Sequence, residues 1–214
     1  MRVKGLAMML SGLEQISSPS VELEQYATGG DLASRWLFDI SAFGDLFDGC
    51  TVVDLGAGNG ILGLGSLSLG ASRAILVEAD EMACDVAKSN SMSLGLEDSV
   101  DIIRVTIGSD KLDLGSADVV ISNPPWGRQS PRADRPFIEE ILSFGVTAHI
   151  MHSSEASHIE PYFHERGWLV DRYGEADFAI PAMYPHHDKK RGKTRAAFWR
   201  LIPPERRETL PDRS

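Results

Sequence analysis

The stretch Val52-Val53-Asp54-Leu55-Gly56-Ala57-Gly58-Asn59-Gly60 constrains this chain more than any other part of its sequence. A short apolar run, suited to a strand buried on both faces, passes through three glycines into a helix-like segment. Glycine has no Cβ, so such a turn can adopt φ > 0 and let a ligand lie against the backbone. The spacing is GxGxG, with the acid Asp54 two residues ahead of the first glycine. In the dinucleotide pattern GxGxxG a pyrophosphate rests on helix N–H groups, and a neighbouring carboxylate would repel it. A carboxylate at this strand end suits a positively charged ligand, such as the sulfonium and α-ammonium of S-adenosylmethionine. Asp54, Gly56, Gly58 and Asn59 are therefore candidate cofactor residues. The bland alternative is a tight strand–helix turn that holds nothing.

A second acid narrows the choice. Ile75-Leu76-Val77-Glu78 is another apolar run, and its terminal Glu78 falls 24 residues after Asp54. A carboxylate at that strand tip can accept from both ribose hydroxyls of a nucleoside. The competing role of a helix cap is already filled by Asp80, just before Glu81–Leu94.

Apolar runs alternate with helix-like segments along the rest of the chain, as in a parallel sheet with helices on both faces. Strands are expected at Thr51–Leu55, Arg73–Glu78, Val100–Val105, Ala117–Ser122, Val146–Met151, Trp168–Phe178 and Arg195–Leu201. Helices are expected at Leu32–Phe47, Gly60–Leu69, Glu81–Leu94, Phe137–Phe144 and Ser154–Glu165, the last capped by Ser153 or Ser154. No helical pattern separates the last two strands, which predicts an antiparallel pair. The expected fold is α/β, a Rossmann-like methyltransferase architecture: seven strands, mostly parallel, with a C-terminal antiparallel hairpin. Residues 1–30 read as an irregular arm, 31–202 as the domain and 203–214 as a polar tail.

Val119-Val120-Ile121-Ser122-Asn123-Pro124-Pro125-Trp126 ends the fourth strand, on the edge where ligands of open α/β sheets bind. A stiff Pro–Pro loop would need neither the Asn nor the Trp. Chemistry on an exocyclic amine uses all four residues. The lone pair of such an amine is delocalised into its ring, which makes it a poor nucleophile. The Asn123 side-chain oxygen and the Pro124 carbonyl can accept from its two N–H bonds and draw the nitrogen toward tetrahedral geometry. Pro124 and Pro125 stiffen the turn, and Trp126 offers a face on which a base can stack. The same tetrapeptide logic serves adenine, guanine and protein glutamine amines, so the motif alone leaves the substrate open.

Charge separates some of these classes. The chain of 214 residues carries a net charge of −10, against the expectation for a generic nucleic-acid binder. The charge is uneven, however. Residues 128–135 hold three Arg against one Asp, and 186–195 hold five Lys/Arg against one Asp, leaving −16 for the remainder. Arg128, Arg132, Arg135, Lys189, Lys190 and Arg191 are therefore candidate RNA-phosphate contacts. His152 reads as a hydrogen-bonded structural histidine. The adjacent pair His186–His187 lacks metal-ligand spacing, and no metal site is expected. Cys50 and Cys84 have no paired spacing and read as reduced thiols of a cytoplasmic protein. Met1–Leu10 lacks a cleavage site, so no signal peptide is expected, and no apolar run is long enough to cross a membrane.

Several stretches occur together in a characteristic order: Leu23-Glu24-Gln25-Tyr26-Ala27-Thr28, DLGAGNG, NPPWG, Ala148-His149-Ile150-Met151-His152-Ser153 and Pro181-Ala182-Met183-Tyr184-Pro185-His186-His187. In this the chain resembles the methyltransferase-like family that forms N6-methyladenosine in small-subunit ribosomal RNA of eukaryotes and archaea, from about Leu23 to Leu201. The resemblance implies a class I methyltransferase fold, S-adenosylmethionine as cofactor and an rRNA adenine as substrate. It implies that Gln25 and Thr28 reach the cofactor from the arm, with Gly56, Asn59 and Ile61 beneath it. Glu78 would hold the ribose, Thr106 and Ile107 would flank the adenine, and Asn123 to Trp126 would hold the target base. It also implies a small zinc-ribbon activator subunit, on which eukaryotic members rely. The family pattern has Pro at Ala27, Asp at Thr106 and Phe at Trp126. Trp keeps the stacking face of Phe, so Trp126→Phe is expected to be nearly silent. Two rivals remain. A protein glutamine methyltransferase would carry an N-terminal helical domain, for which the residues before Asp54 leave little room. A cofactor-binding ribosome-assembly factor with little catalysis would not need NPPW.

Overall fold

A computed structural model describes residues 1–109, 112, 114–179 and 193–204. Seven strands form one sheet in the order β3-β2-β1-β4-β5-β7-β6. They are β1 (Thr51–Leu55), β2 (Arg73–Glu78), β3 (Val100–Arg104), β4 (Val119–Ser122), β5 (Thr147–Ser153), β6 (Leu169–Ala179) and β7 (Lys193–Ile202). The first five run parallel, while β7 pairs antiparallel with both β5 and β6. The expected terminal antiparallel pair is thus present. Helices α1 (Val3–Ser11), α2 (Gly30–Ala42), α3 (Ile61–Leu67), α4 (Glu81–Ser93), α5 (Arg135–Phe144) and α6 (Ile159–His164) flank the sheet.

Alternation along the central strands sends side chains to two cores. Val52, Ala74, Leu76, Val119 and Ile121 meet α1 to α4 on one face. Val53, Ile75, Val77 and Val120 meet α5 and α6 on the other. Because β1 lies between β2 and β4, the chain reverses its direction of progress there. The carboxyl ends of those three strands border the crevice where such sheets bind ligands.

Two expectations need correction. Residues 1–30 are not wholly irregular, because Val3–Ser11 forms α1 with Leu6 and Leu10 fully buried. Those leucines are one helical turn apart, and Leu10 reaches the surface of α3, where a Cβ on Gly65 would come within 3.3 Å of it. The helix expected at Ser154–Glu165 is only Ile159–His164, with His158 rather than Ser153 or Ser154 at its start. Pairing wins there: His152 and Ser153 extend β5 against Ala197 and Ala196, so residues 154–158 are spent turning the chain.

A buried polar chain locks the antiparallel end to α2. The β6–β7 register slips between Arg172 and Gly174, a bulge that places Tyr173 opposite no partner. The Trp36 indole donates to the Tyr173 hydroxyl at 2.7 Å, and that hydroxyl lies 3.1 Å from Nδ1 of His149. His149 Nε2 is 2.9 Å from Asp45, which also accepts two bonds from Arg200. Burial pushes His149 below the usual histidine range, so the ring is neutral, donating from Nε2 and accepting at Nδ1. Burial would raise the Asp45 carboxyl, but the bonds from His149 and Arg200 outweigh it and hold it low. The Trp36, Tyr173 and His149 donors each have an acceptor. Tyr173→Phe strands the Trp36 N–H and the His149 lone pair, and should cost about 1–3 kcal/mol in urea denaturation. A parental midpoint and slope would show that the hydroxyl carries no weight.

Candidate active site

Loops at the carboxyl ends of β1 to β4 and the segment Gln15–Thr28 enclose a cavity of about 510 Å³. That volume suits a small-molecule or cofactor site. It brings together most of the residues expected from the sequence: Gln25, Thr28, Gly56, Gly58, Asn59, Ile61, Glu78, Thr106, Ile107, Asn123 and Pro125 all line it. Asp54, Pro124 and Trp126 do not.

Glu78 ties the cavity floor together. Its Oε2 accepts from the Gly58 N–H at 2.8 Å, and its Oε1 accepts from Ala79 and Asp80 at 2.9 and 3.0 Å. One buried carboxylate thus joins the loops after β1 and β2 while remaining at the cavity wall. Oε1 is filled by its two bonds, while Oε2 keeps one lone-pair site, and a ribose hydroxyl can be accepted there. The turn itself requires glycine. Gly56 has φ of 74°, and a Cβ there would come within 2.9 Å of Phe137.

Asp54 is fully buried beneath the loop, with Oδ2 accepting from the Gly63 N–H at 2.9 Å and Oδ1 unpartnered. Direct contact with a ligand, as expected from the sequence, is not what this geometry provides, because α3 and its first turn cover the carboxyl. Burial, with the nearby Glu78 charge adding to it, pushes Asp54 up to about 7. Asn90 on α4 was not among the residues expected from the sequence. Its side chain accepts from Glu14 N and donates to Glu14 and Asn59 carbonyls, fastening the arm to the cofactor loop. Asn59 Nδ2 donates to the same Glu14 carbonyl. A polar residue amid the small and apolar residues on the inner face of α4 was the available signal.

At the tip of β4, Asn123 Nδ2 donates to Thr28 Oγ1 at 3.1 Å, and Asn123 Oδ1 accepts from Trp126 Nε1 at 3.1 Å. Glu24, also unforeseen, accepts from the backbone N–H groups of Trp126 and Gln129 at 2.8 and 2.7 Å. It is buried and holds φ of 49°, which is uncommon for a non-glycine residue. The open stacking face expected of Trp126 is absent. Its ring is buried, stacked on His152 at 5.8 Å and packed against Phe178 at 4.8 Å. The indole N–H also has a role that the expected Phe equivalence left out, since Phe has no donor for Asn123.

Two of the three arginines after the motif are already engaged. Arg128 donates to Thr194 and lies over the Trp126 ring, and Arg135 pairs with Glu139 and stacks on Tyr162. Arg132 is exposed in the same loop, at φ of 63°. Lys189, Lys190 and Arg191, with His186 and His187, lie outside the described residues.

Among the described residues, Asp134, His152 and His158 place potential ligand atoms within 4.8 Å of one another. His152 Nδ1 accepts from the Ser153 N–H at 2.8 Å, which puts a ring proton on Nε2, buried 3.4 Å from Asp134 without a hydrogen-bond partner. That tautomer has no lone pair for a metal. Burial would raise Asp134, but His152 and His158 beside it hold it below its ordinary range. Cys50 and Cys84 are both free, and burial raises both thiols, Cys84 to about 11. No helix among the described residues is long and apolar enough to cross a membrane.

The cavity fits the expected cofactor on its own evidence. Gln25 lines it with Nε2 buried and unpartnered, a donor awaiting an acceptor, while its Oε1 is held by Ser20 N. Gly58 has open space where a Cβ would stand. This sheet order, with a nucleoside-sized cavity over the glycine loop, defines a class I S-adenosylmethionine-dependent methyltransferase. Comparison with known proteins agrees. The family model for ribosomal protein L11 methyltransferase (PrmA) matches residues 40–124, from the end of α2 to Pro124. The chain is 36% identical over 198 residues to MJ0284 of Methanocaldococcus jannaschii, covering 87% of this chain and 88% of that protein. It is 28% identical to the rRNA N(6)-adenosine-methyltransferase METTL5 of Danio rerio, covering 95% and 100%. A Pyrococcus horikoshii structure, described as a candidate RNA methyltransferase PH1948, is 32% identical with a TM-score of 0.85, covering 95% of this chain and 98% of its own. The chain belongs to the same family as MJ0284 and the Pyrococcus horikoshii protein.

Asp54 supplies a test of the site's electrostatics. Its carboxyl is raised in the folded protein, so its contribution to stability is present below the unfolded value of about 3.9 and is lost as pH rises toward about 7. Asp54→Asn in cofactor-free protein should therefore gain stability over the parent progressively from pH 4 to pH 8. Chemical denaturation at several pH values measures this, and a pH-independent difference contradicts it.

Proposed function

We propose that this protein transfers a methyl group from S-adenosylmethionine to the N6 amino group of an adenine in RNA, with ribosomal RNA as the substrate. One observation carries the reading. The NPPW turn sits at the tip of β4, beside the cofactor cavity, with Asn123 on the cavity wall and its amide oxygen identified by a donor-only neighbour. Relatives named rRNA N(6)-adenosine-methyltransferases, matched over 85–95% of this chain in fish, fly and worm, support adenine over guanine or glutamine.

In this reading Glu78 binds the ribose hydroxyls, and the Gln25 side chain closes over the ligand from the arm. Gly56, Gly58, Asn59 and Ile61 form the floor, and Thr106 and Ile107 flank the adenine ring. The bound cofactor supplies an electrophilic methyl group on a sulfonium. Asn123 Oδ1 and the Pro124 carbonyl accept from the two N–H bonds of the target amine and localise its lone pair. The amine attacks while neutral, and its extra proton leaves to water after the transfer. Catalysis is then positioning and preorganised electrostatics, with no base required at the outset. Trp126 acts by holding the turn, since its ring faces are covered. Asp54 acts from below, as a buried acid that shapes the loop.

Residues 31–202 would form the catalytic domain, with residues 1–30 contributing its roof and 203–214 a polar tail. Arg132 and the basic segment around Lys189, Lys190 and Arg191 would meet RNA phosphates. The family resemblance extends the proposal to a small zinc-ribbon activator subunit and to a cytoplasmic site of action. The test is single-turnover methyl transfer to an adenine-containing RNA, followed by nucleoside analysis. The product should be N6-methyladenosine, and Asn123→Ala should slow transfer about a hundredfold or more with cofactor affinity nearly unchanged. Methyl found on another atom, or Asn123→Ala at the parental rate, overturns the reading.

A further inference from the structure

The carboxamide of Asn123 can face its target in two ways, and only one of them works. Oδ1 can accept from an amine, whereas Nδ2 would present two donors to it. The environment decides between these orientations. An indole N–H can only donate, so the Asn123 atom 3.1 Å from Trp126 Nε1 must be the oxygen. Nδ2 then points at Thr28 Oγ1, 3.1 Å away, and the hydroxyl accepts from it. One lone pair of Oδ1 is used by Trp126, which leaves one for the target amine.

We propose that Thr28 is a positioning residue for methyl transfer: with Trp126 it locks the Asn123 amide in its accepting orientation, and Glu24 holds the turn that carries it. The inference rests on the reading of Asn123 as the amine's acceptor and goes beyond the cofactor role expected of Thr28. Glu24 and Thr28 lie 102 and 95 residues before their partners in the turn, so the N-terminal segment is built into the catalytic centre. The carboxylate of Glu24 accepts from two backbone N–H groups of the loop, at Trp126 and Gln129, and so fixes the backbone on the far side of the prolines. Gln25, between these two residues, lines the cofactor cavity. Cofactor binding and the set of the catalytic turn therefore share one five-residue stretch, Glu24–Thr28.

The test measures cofactor affinity by calorimetry and single-turnover methyl transfer to RNA for the same full-length variants. Thr28→Val keeps the shape and removes the acceptor, so transfer at saturating cofactor should slow about tenfold, whatever change calorimetry finds in cofactor affinity. Thr28→Ser should recover most of the loss. Trp126→Phe should slow transfer similarly, because the donor that identifies Oδ1 is gone. In an Asn123→Ala background, Thr28→Val should add nothing, since a residue acting through Asn123 has nothing left to position. Parental transfer by Thr28→Val overturns the proposal, as does a further loss in the Asn123→Ala background or a defect confined to cofactor binding. A parental Asn123→Ala instead removes the acceptor reading itself, and the role of Thr28 falls with it.

Discussion

The site depends on one buried carboxylate. Glu78 receives backbone N–H groups from the loop after β1 and from the loop after β2, and so sets the distance between two neighbouring strand tips. The parallel pairing of β1 with β2 brings those tips side by side, but it does not shape the loops beyond them. Charge-assisted bonds to three amides do that, and they are stronger than neutral ones. The same group faces the cavity, so the brace and the expected ribose contact are one residue. Losing it would loosen the fold of the loop and the ligand site together.

Around that floor, the arm is tied down at both ends. Asn59 and Asn90 hold Glu14, while Glu24 and Thr28 hold the turn at the tip of β4. The cavity is therefore enclosed by polar contacts between segments far apart in sequence. Apolar packing anchors the arm from behind, through Leu6, Leu10 and Leu13 in the core shared with α2 and α3. The opposite end of the sheet is secured differently, by the neutral His149 between Tyr173 and Asp45. At that end the buried donors and acceptors are paired, the condition under which such groups specify a structure rather than weaken it, whereas the cavity end keeps Gln25 Nε2 and Asp54 Oδ1 unpartnered.

Much of this was legible in the sequence because it is local. Apolar runs ending in glycine or acid marked β1, β2 and β4, and Asp80 capped α4 as its type requires, accepting from Ala83. The cavity residues cluster at strand tips, where topology alone places them. Long-range contacts were the illegible part. Glu24 gains its role from a turn a hundred residues away, and nothing in its own neighbourhood announces that. Trp126 read as an open face because His152 and Phe178, which cover it, arrive from β5 and β6. Helix α1 was missed because its Ncap, Arg2, offers no capping side chain, and only burial against α2 and α3 justifies it. Asp54 read as a ligand contact because the sequence places it at a strand tip, while α3 covers it in three dimensions.

The proposed activity is methylation of an adenine amine in ribosomal RNA. Mass spectrometry of nucleosides from purified small-subunit rRNA, taken from cells with and without the gene, tests it most directly. N6-methyladenosine should fall on deletion and return with the parental gene but not with Asn123→Ala. Unchanged N6-methyladenosine in the deletion, or restoration by the Asn123→Ala protein, would contradict it.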